Sequence, residues 1–148
     1  GLRTFQGLPH RMRRVETRAG VDYYDDSKAT NVAAVIASLD GFERRFVLIA
    51  GGQAKGDDLT PLRDLLARHG VGLVAIGESR QQFLRLARDV VPCAEAADMN
   101  EAVRQAAAWA TAGDAVVLSP ACASWDMYTS YAERGRAFAA AIEALPDL

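Results

Sequence analysis

The two lysines of this sequence are candidates for a chemical role. The 148-residue chain has fifteen arginines but only two lysines, Lys28 and Lys55, and each lysine lies in a short polar segment. Lysine presents a compact positive charge, whereas arginine presents a broad planar fork, so a lysine retained twice favours a role for a point charge. Chance placement is the alternative, and for the lysines alone both interpretations are equally supported.

Both lysines lie among hydroxyls and glycines. Ammonium groups, hydroxyls and the backbone amides that glycine leaves accessible all bind anionic oxygen atoms. The pattern therefore predicts a site for a small dicarboxylate or for a phosphate. The polar segments concerned are DDSKAT (25–30), GGQAKGDD (51–58), GES (77–79) and SPACAS (119–124).

A purely structural interpretation of the same residues is also open. In that interpretation Thr30 and Ser124 cap helices, Asp26 pairs with Lys28, and the glycines only turn the chain. Each residue taken alone favours this interpretation. Convergence of all the polar segments on one place would favour a ligand instead.

The spacing of the polar residues argues against a nucleotide-binding loop, a nucleophilic cysteine and a metal site. GGQAKGDD matches neither the GxxxxGK[ST] phosphate-binding loop nor the GxGxxG spacing of dinucleotide sites, so the chain has no nucleotide-triphosphate cradle of its own. Nothing places a histidine beside Cys122, which favours a small buried residue over a nucleophile. The carboxylates of DDL and SWD lack the supporting cluster that a cation needs, so we expect no metal ligands.

The elements that must position these segments are strands and helices in alternation. Two short extended runs flank Ala19-Gly20, which predicts a hairpin. Later apolar runs (RFVLIAGG, VGLVAIGES, AVVLSPACAS) suit a buried parallel sheet. Helices are predicted over 31–40 and 60–69, behind the capping pairs Ser79/Gln82 and Asp98/Glu101, and around Gly135 near the C-terminus. The fold class is therefore α/β: a mostly parallel sheet with one antiparallel strand from the N-terminal hairpin.

The polar segments each follow an apolar strand. In open parallel sheets, ligands bind at the carboxyl ends of the strands, where the strand-to-helix loops emerge. We therefore expect four polar loops to converge on one edge of the sheet, and two of them carry the only lysines.

Composition limits the class of protein. A chain of 148 residues suits one domain, and a net charge of −2 gives no basis for nucleic-acid binding. No apolar run approaches the roughly 20 residues of a membrane span, and the N-terminus lacks a signal-like apolar segment, so we expect a cytoplasmic protein without membrane contact. Cys93 and Cys122 are predicted to be free thiols.

Four motifs, in order, resemble the C-terminal domain of the Mur ligases, which build the peptidoglycan precursor. They are GLPHR, DDSKATN, GGQAKGDDL and LSPACASWDMYTSYAERGRAF, and they span nearly the whole chain. DSKATN and SPACAS are most similar to the branch of the family that adds D-glutamate. The resemblance implies a Rossmann-like three-layer domain.

The resemblance also implies an activity and a set of binding residues. The complete enzyme would use ATP and Mg²⁺ to phosphorylate the carboxylate of UDP-MurNAc-L-Ala, and the amine of D-glutamate would attack the acyl phosphate. The implied residues are Thr30 and Lys55 at the α-carboxylate of D-glutamate, Ser124 and the backbone near Tyr131 at its side-chain carboxylate, and His10, Arg11, Asp26 and Lys28 facing ATP or the intermediate.

Domain boundaries follow from the same resemblance. Residues 1–10 resemble a linker from a central ATP-binding domain, and residues 11–148 resemble the amino-acid-binding domain. The main ATP and Mg²⁺ sites would lie outside this chain, so we expect the chain alone to be an inactive monomer. Tyr131 stands where the family commonly has phenylalanine, which adds a hydroxyl to the implied pocket.

Two other interpretations remain open. One is the third domain of a sister Mur ligase or of a folylpolyglutamate-type ligase. The other is a stand-alone ligand-binding module, because fold alone never dictates function.

Overall fold

A six-stranded sheet lies between two layers of helices in the part of the chain that the structure, a computed structural model, describes (residues 10–146). The sheet prediction and the three-layer prediction are confirmed. Apart from His10, the predicted linker lies outside the described residues. The elements in chain order are β1 (Arg13–Arg18), β2 (Val21–Asp25), α1 (Val32–Leu39), β3 (Phe46–Gly51), α2 (Thr60–His69), β4 (Gly70–Ile76), α3 (Arg80–Ala87), β5 (Cys93–Glu95), α4 (Met99–Trp109), β6 (Ala115–Leu118) and α5 (Tyr131–Glu143).

The strands lie in the order β1-β2-β6-β3-β4-β5. β1 runs antiparallel to β2, and the pairs β2/β6, β6/β3, β3/β4 and β4/β5 are all parallel. The predicted hairpin turn is confirmed: Ala19 and Gly20 connect the paired residues Arg18 and Val21 with φ values of 53° and 79°. Positive φ at both central positions is the geometry of a type I′ turn, whose twist matches that of the strands.

Alternate residues of each central strand pack against different helix layers. In β3, Phe46, Leu48 and Ala50 face a core shared with α1, α2 and α3, while Val47 and Ile49 face a core shared with α4 and α5. Every one of these five side chains is fully buried. Each such leucine, isoleucine or phenylalanine stabilises the fold by roughly 1.5–3 kcal/mol, which explains the uninterrupted apolar runs.

Helix starts agree only in part with the sequence. Asp98 caps α4 as predicted, accepting from the Glu101 amide at 2.8 Å, while Glu101 reaches back to the Ala97 amide at 2.7 Å. The prediction that Ser79 and Gln82 form a capping pair is wrong. The Ser79 side chain makes no capping hydrogen bond, and its hydroxyl lies 3.6 Å from the Cys122 thiol. Strand β5 was not predicted, since it has three residues and none of them is buried.

The strand order creates a crevice on each side of β6. The helices that follow β2 and β3 cover one face of the sheet, whereas the helix that follows β6, which lies between them, covers the other. Neighbouring strands whose helices leave on opposite faces separate at their carboxyl ends, and ligands bind there. No helix within residues 10–146 is long and apolar enough to cross a membrane.

Candidate functional site

A cavity of about 300 Å³ opens at the carboxyl edge of the sheet, where the loops after β2, β3 and β6 meet. It brings together all four residues that the family resemblance implies at D-glutamate: Thr30 from the first loop, Lys55 from the second, Ser124 from the third and Tyr131 at the start of α5. Ala123, Trp125 and Ser130 complete the lining. We call this space the Lys55 cavity.

A second cavity of about 510 Å³ lies on the other side of the loop after β2. Arg11, Asp26 and Lys28 line it, together with Met12 and small residues of α1. Three of the four residues expected to face ATP therefore share one space, which we call the Lys28 cavity. His10 does not line it: its Nδ1 lies 2.6 Å from the Asp25 carboxylate, and its ring meets Tyr131 edge-on at 6.0 Å between centres.

The hydroxyls of Thr30 and Ser124 are not used as helix caps. Asn31 caps α1 by accepting from the Ala34 amide at 2.8 Å, and Ser130 caps α5 by accepting from the Glu133 amide at 3.1 Å. The structural interpretation is therefore wrong for both hydroxyls, because Asn31 and Ser130 do the capping. Both hydroxyl residues line the Lys55 cavity instead.

Asp26 is held by neutral donors and makes no ion pair with Lys28. Its carboxylate accepts from the Ser119 hydroxyl at 2.6 Å and from the Met12 amide at 3.0 Å, and the residue is 1% exposed. Burial is the largest influence and raises the pKa of Asp26. The hydroxyl of Ser119, the first residue of the SPACAS segment, therefore donates to Asp26 and is not available to bind a ligand.

Paired glycines let the loop after β3 pack tightly against other loops. Gly51 and Gly52 have φ values of 125° and 136°, and a Cβ added to Gly52 would lie 2.5 Å from the Ala123 carbonyl oxygen. The Gly51 amide donates to the Pro120 carbonyl at 2.9 Å. These glycines therefore serve contact between loops, and the Gly51 amide does not point at a ligand.

The loop after β4 supports the site without lining either cavity. The Ser79 amide donates to the Gly52 carbonyl at 3.0 Å, and the Glu78 amide donates to the Asp126 carboxylate at 2.8 Å. Four loops do gather at this edge, but only three of them, with the start of α5, form the Lys55 cavity.

The chain was compared with known families. The model of the family described as "Mur ligase, glutamate ligase domain" matches residues 10–122, well over half of the chain. The chain belongs to the Mur ligase family. The resemblance predicted from the four motifs is confirmed.

Relatives of this Mur ligase domain are longer proteins. It is 50% identical over 145 residues to the UDP-N-acetylmuramoylalanine-D-glutamate ligase of Bordetella pertussis, which covers 97% of this chain and 28% of the relative. The Pseudomonas aeruginosa ligase of the same name is 47% identical over 148 residues, or 33% of its own length. The chain therefore spans a third or less of the relatives it matches.

Solved structures support the fold of this Mur ligase domain. The bifunctional folylpolyglutamate synthase/dihydrofolate synthase of Yersinia pestis aligns with 90% of this chain and 31% of its own, with a TM-score of 0.64 and 19% identity. Identity this low supports the shared fold alone.

Two residues of the Mur ligase domain near the Lys55 cavity were missed by sequence reasoning. Trp125 lies on the rim of the cavity and is 68% exposed, and Arg134 lies behind the loops and is 1% exposed. A signal for Arg134 was available, because it falls on the same helical stripe as Gly135 and Phe138. Nothing in the sequence marks Trp125 apart from its position next to Ser124.

Cys122 of the Mur ligase domain is a buried free thiol, 1% exposed, and burial raises its pKa. This agrees with the small buried residue expected from the sequence, since a protonated thiol is a poor nucleophile. Among residues 10–146, no group of three or more histidine, cysteine or acidic side chains could hold a metal ion.

Proposed function

We propose that the complete protein is an ATP-dependent ligase that joins D-glutamate to UDP-MurNAc-L-alanine and that this chain holds the D-glutamate. One observation carries the proposal: Lys55, Thr30 and Ser124 line a single cavity, and neither hydroxyl residue caps a helix. Membership of the Mur ligases and the names of the relatives support the same substrate.

The Lys55 cavity suits a molecule with two anionic ends. In the proposal, Lys55 and Thr30 bind the α-carboxylate, while Ser124 and the backbone near Tyr131 bind the side-chain carboxylate. Charge-assisted hydrogen bonds of this kind are stronger than neutral ones and fix orientation as well as affinity. Holding both ends leaves the amine as the free nucleophile.

The Lys28 cavity is proposed to meet the nucleotide. Arg11 and Lys28 give it two cations, which suit the phosphates of ATP or the charge of the intermediate. Mg²⁺, when bound, would neutralise phosphate charge, and the one carboxylate that lines this cavity, Asp26, is not a cation cage by itself. We therefore assign the main Mg²⁺ and ATP sites to a part of the ligase outside these residues.

Electrostatic positioning is the chemical contribution of this chain. The amine of D-glutamate attacks the carbonyl carbon of the acyl phosphate, a C–N bond forms, and the C–O bond to phosphate breaks as phosphate leaves with the electron pair. The amine loses its proton to a base that we do not assign to this chain. Holding the amine at a fixed distance and angle from the carbonyl carbon lowers the activation barrier, because the entropic cost of bringing the two groups together has already been met on binding.

The substrates suggest the setting of the reaction. ATP and a nucleotide-linked sugar are solutes of the cytoplasm, so we propose a monomeric cytoplasmic ligase. Because closure against other domains would complete the site, the chain alone is expected to bind D-glutamate weakly and not to turn over ATP.

An NMR titration tests the assignment. ¹⁵N-labelled chain is titrated with D-glutamate and with L-glutamate, and we expect the D-enantiomer to shift the amide signals of Thr30, Lys55, Ser124 and Tyr131 the more strongly. Lys55→Ala should abolish the shifts. Arg85→Ala, which removes an exposed cation from α3, is the matched control and should not alter them.

Three results would contradict the proposal. Equal shifts with both enantiomers, or shifts remote from the Lys55 cavity, would reject the D-glutamate site. Phosphate release by the complete protein that depends on another amino acid would indicate a sister or folylpolyglutamate-type ligase. Absence of any ATP-dependent ligation would favour a stand-alone binding module.

A further inference from the structure

Arg134 is a buried arginine at the junction of the loops that form the Lys55 cavity. It lies in the first turns of α5 and is 1% exposed. Its guanidinium donates to three backbone carbonyls: Cys122 at 2.8 Å, Ala123 at 3.2 Å and Ser27 at 3.5 Å. One side chain therefore joins the loop after β2 to the loop after β6.

The third loop of the cavity is tied to the same point. The Ala123 carbonyl that accepts from Arg134 also accepts from the Gln53 amide at 2.9 Å, and the Ala123 amide donates back to the Gln53 carbonyl at 3.1 Å. Gln53 lies two residues before Lys55, and Ala123 directly precedes Ser124. The guanidinium thus helps to fix the backbone beside both ligand-binding side chains.

The Arg134 guanidinium makes no direct ion pair within the described part of the chain, and the carboxylates of Asp126 and Asp25 act on its charge only from beyond ion-pair distance. Its Nε atom has no hydrogen-bond partner among residues 10–146. Burial lowers the pKa of Arg134 to about 10. A well-packed apolar side chain in this position would avoid that desolvation penalty, so packing alone does not account for a buried arginine here.

We infer that Arg134 is a positioning residue for the dicarboxylate site: it holds the three loops in register and supplies a positive charge behind the Ser124 end of the cavity. This inference rests on the proposed function. An anion in the Lys55 cavity would compensate the buried charge, because Coulomb interactions are weakly screened where water is excluded. The same helix supplies Tyr131 one turn earlier, so a residue that lines the cavity and the arginine that joins the loops lie on one element.

Steady-state kinetics of the complete ligase test the inference. Arg134→Met removes the positive charge and the planar guanidinium but keeps a side chain of similar length. Arg134→Lys keeps the charge and removes the guanidinium. We expect Arg134→Met to raise KM for D-glutamate by about tenfold or more, as for loss of a charged hydrogen-bonding group, with KM for ATP nearly unchanged. Arg134→Lys should recover part of the loss.

The matched control is Arg44→Met at the opposite edge of the sheet. Arg44 also donates to backbone carbonyls, those of Gly113 and Asp114 at 3.1 and 2.9 Å. It should lower stability without changing KM for D-glutamate relative to KM for ATP. A purely structural role for Arg134 would give that same pattern, and so would contradict the inference.

A measurement on the wild-type chain covers the case in which Arg134→Met does not fold. The Nε–H signal of Arg134 should shift on saturation with D-glutamate and stay in place with L-alanine, which lacks the second carboxylate. An unmoved signal overturns the inference. Wild-type ligase that fails to use D-glutamate at all overturns the proposed function instead, so the two failures are distinguishable.

Discussion

The ammonium of Lys28 lies 5.7 Å from the centre of the Tyr131 ring. Lys28 lines the larger cavity and Tyr131 lines the smaller one, so this cation–π contact forms part of the wall between the two proposed substrate sites. Such contacts contribute roughly 0.5–1 kcal/mol at exposed positions. Binding in one cavity can therefore affect the other through the contact between Lys28 and Tyr131.

Replacing Tyr131 should separate the role of its ring from that of its hydroxyl. Tyr131→Phe keeps the ring under Lys28, so we expect KM values close to wild type in the complete ligase. Tyr131→Leu removes the cation–π contact and should raise KM for both D-glutamate and ATP by about two- to fivefold. Equal impairment of the two variants would show that the hydroxyl matters more than the ring.

Exchanging Lys55 for arginine should impair D-glutamate binding although the charge is kept. The broad guanidinium fork does not reproduce a compact ammonium in a cavity of about 300 Å³. We expect kcat/KM for D-glutamate to fall by about tenfold or more. Arg85→Lys, the reverse exchange on the exposed face of α3, is the control, and undiminished activity of Lys55→Arg would refute the point-charge argument.

Two glycines of the loop after β3 should respond differently to alanine. Gly56 has φ +83° and nothing within 4 Å of an added Cβ, so Gly56→Ala should cost only the strain of a left-handed backbone, about 1–2 kcal/mol. Gly52→Ala adds a contact of 2.5 Å with the Ala123 carbonyl and should cost about 3 kcal/mol or more. Urea unfolding of the chain measures both, and equal losses would mean that the loops relax.

Gly135 should be a poor site for a helix-stabilising substitution. An added Cβ would clash with His10 Nδ1 and would lie 2.6 Å from the Asp25 carboxylate, two groups that are joined by a hydrogen bond. The gain of about 1 kcal/mol in helix propensity is therefore outweighed by overpacking of about 1–3 kcal/mol. Gly41→Ala, which meets nothing within 4 Å, is the control, and thermal unfolding should rank it above Gly135→Ala.

The stability contributed by Asp26 should depend on pH. Its pKa is raised in the folded state, mainly by burial, so the folded chain binds this proton more tightly than the unfolded chain does. The associated stability is present in full below the ordinary pKa of 3.8 and is lost as pH rises from there through the folded pKa. The loss per pH unit is at most about 1.4 kcal/mol.

Asp26→Asn removes this titration. The free energy of unfolding of wild type, measured relative to Asp26→Asn by urea unfolding, should therefore fall as pH rises through that window and become constant above it. A difference that rises with pH would show that Ser119 and the Met12 amide outweigh burial at this carboxylate.

Local features of the sequence were sufficient for much of the fold. The hairpin at Ala19-Gly20, the helix from Val32 and the Asp98 cap were all predicted, because turn, cap and periodicity act over a few residues. Predictions failed where a neighbour competes for the same role. Asn31, one residue after Thr30, captures the cap of α1, and the cap of α3 at Ser79 is missing because that side chain faces Cys122.

The sequence by itself determined which chemical groups each loop carries and, through its motifs, the family. Tertiary structure decided which loops share a cavity. Inserting β6 between β2 and β3 brings Ser124 to the same cavity as Thr30 and Lys55 and encloses Arg134 among their backbones. Strand order depends on which helix faces can be buried against which side of the sheet, a balance of contacts between residues distant in the chain that no local pattern records.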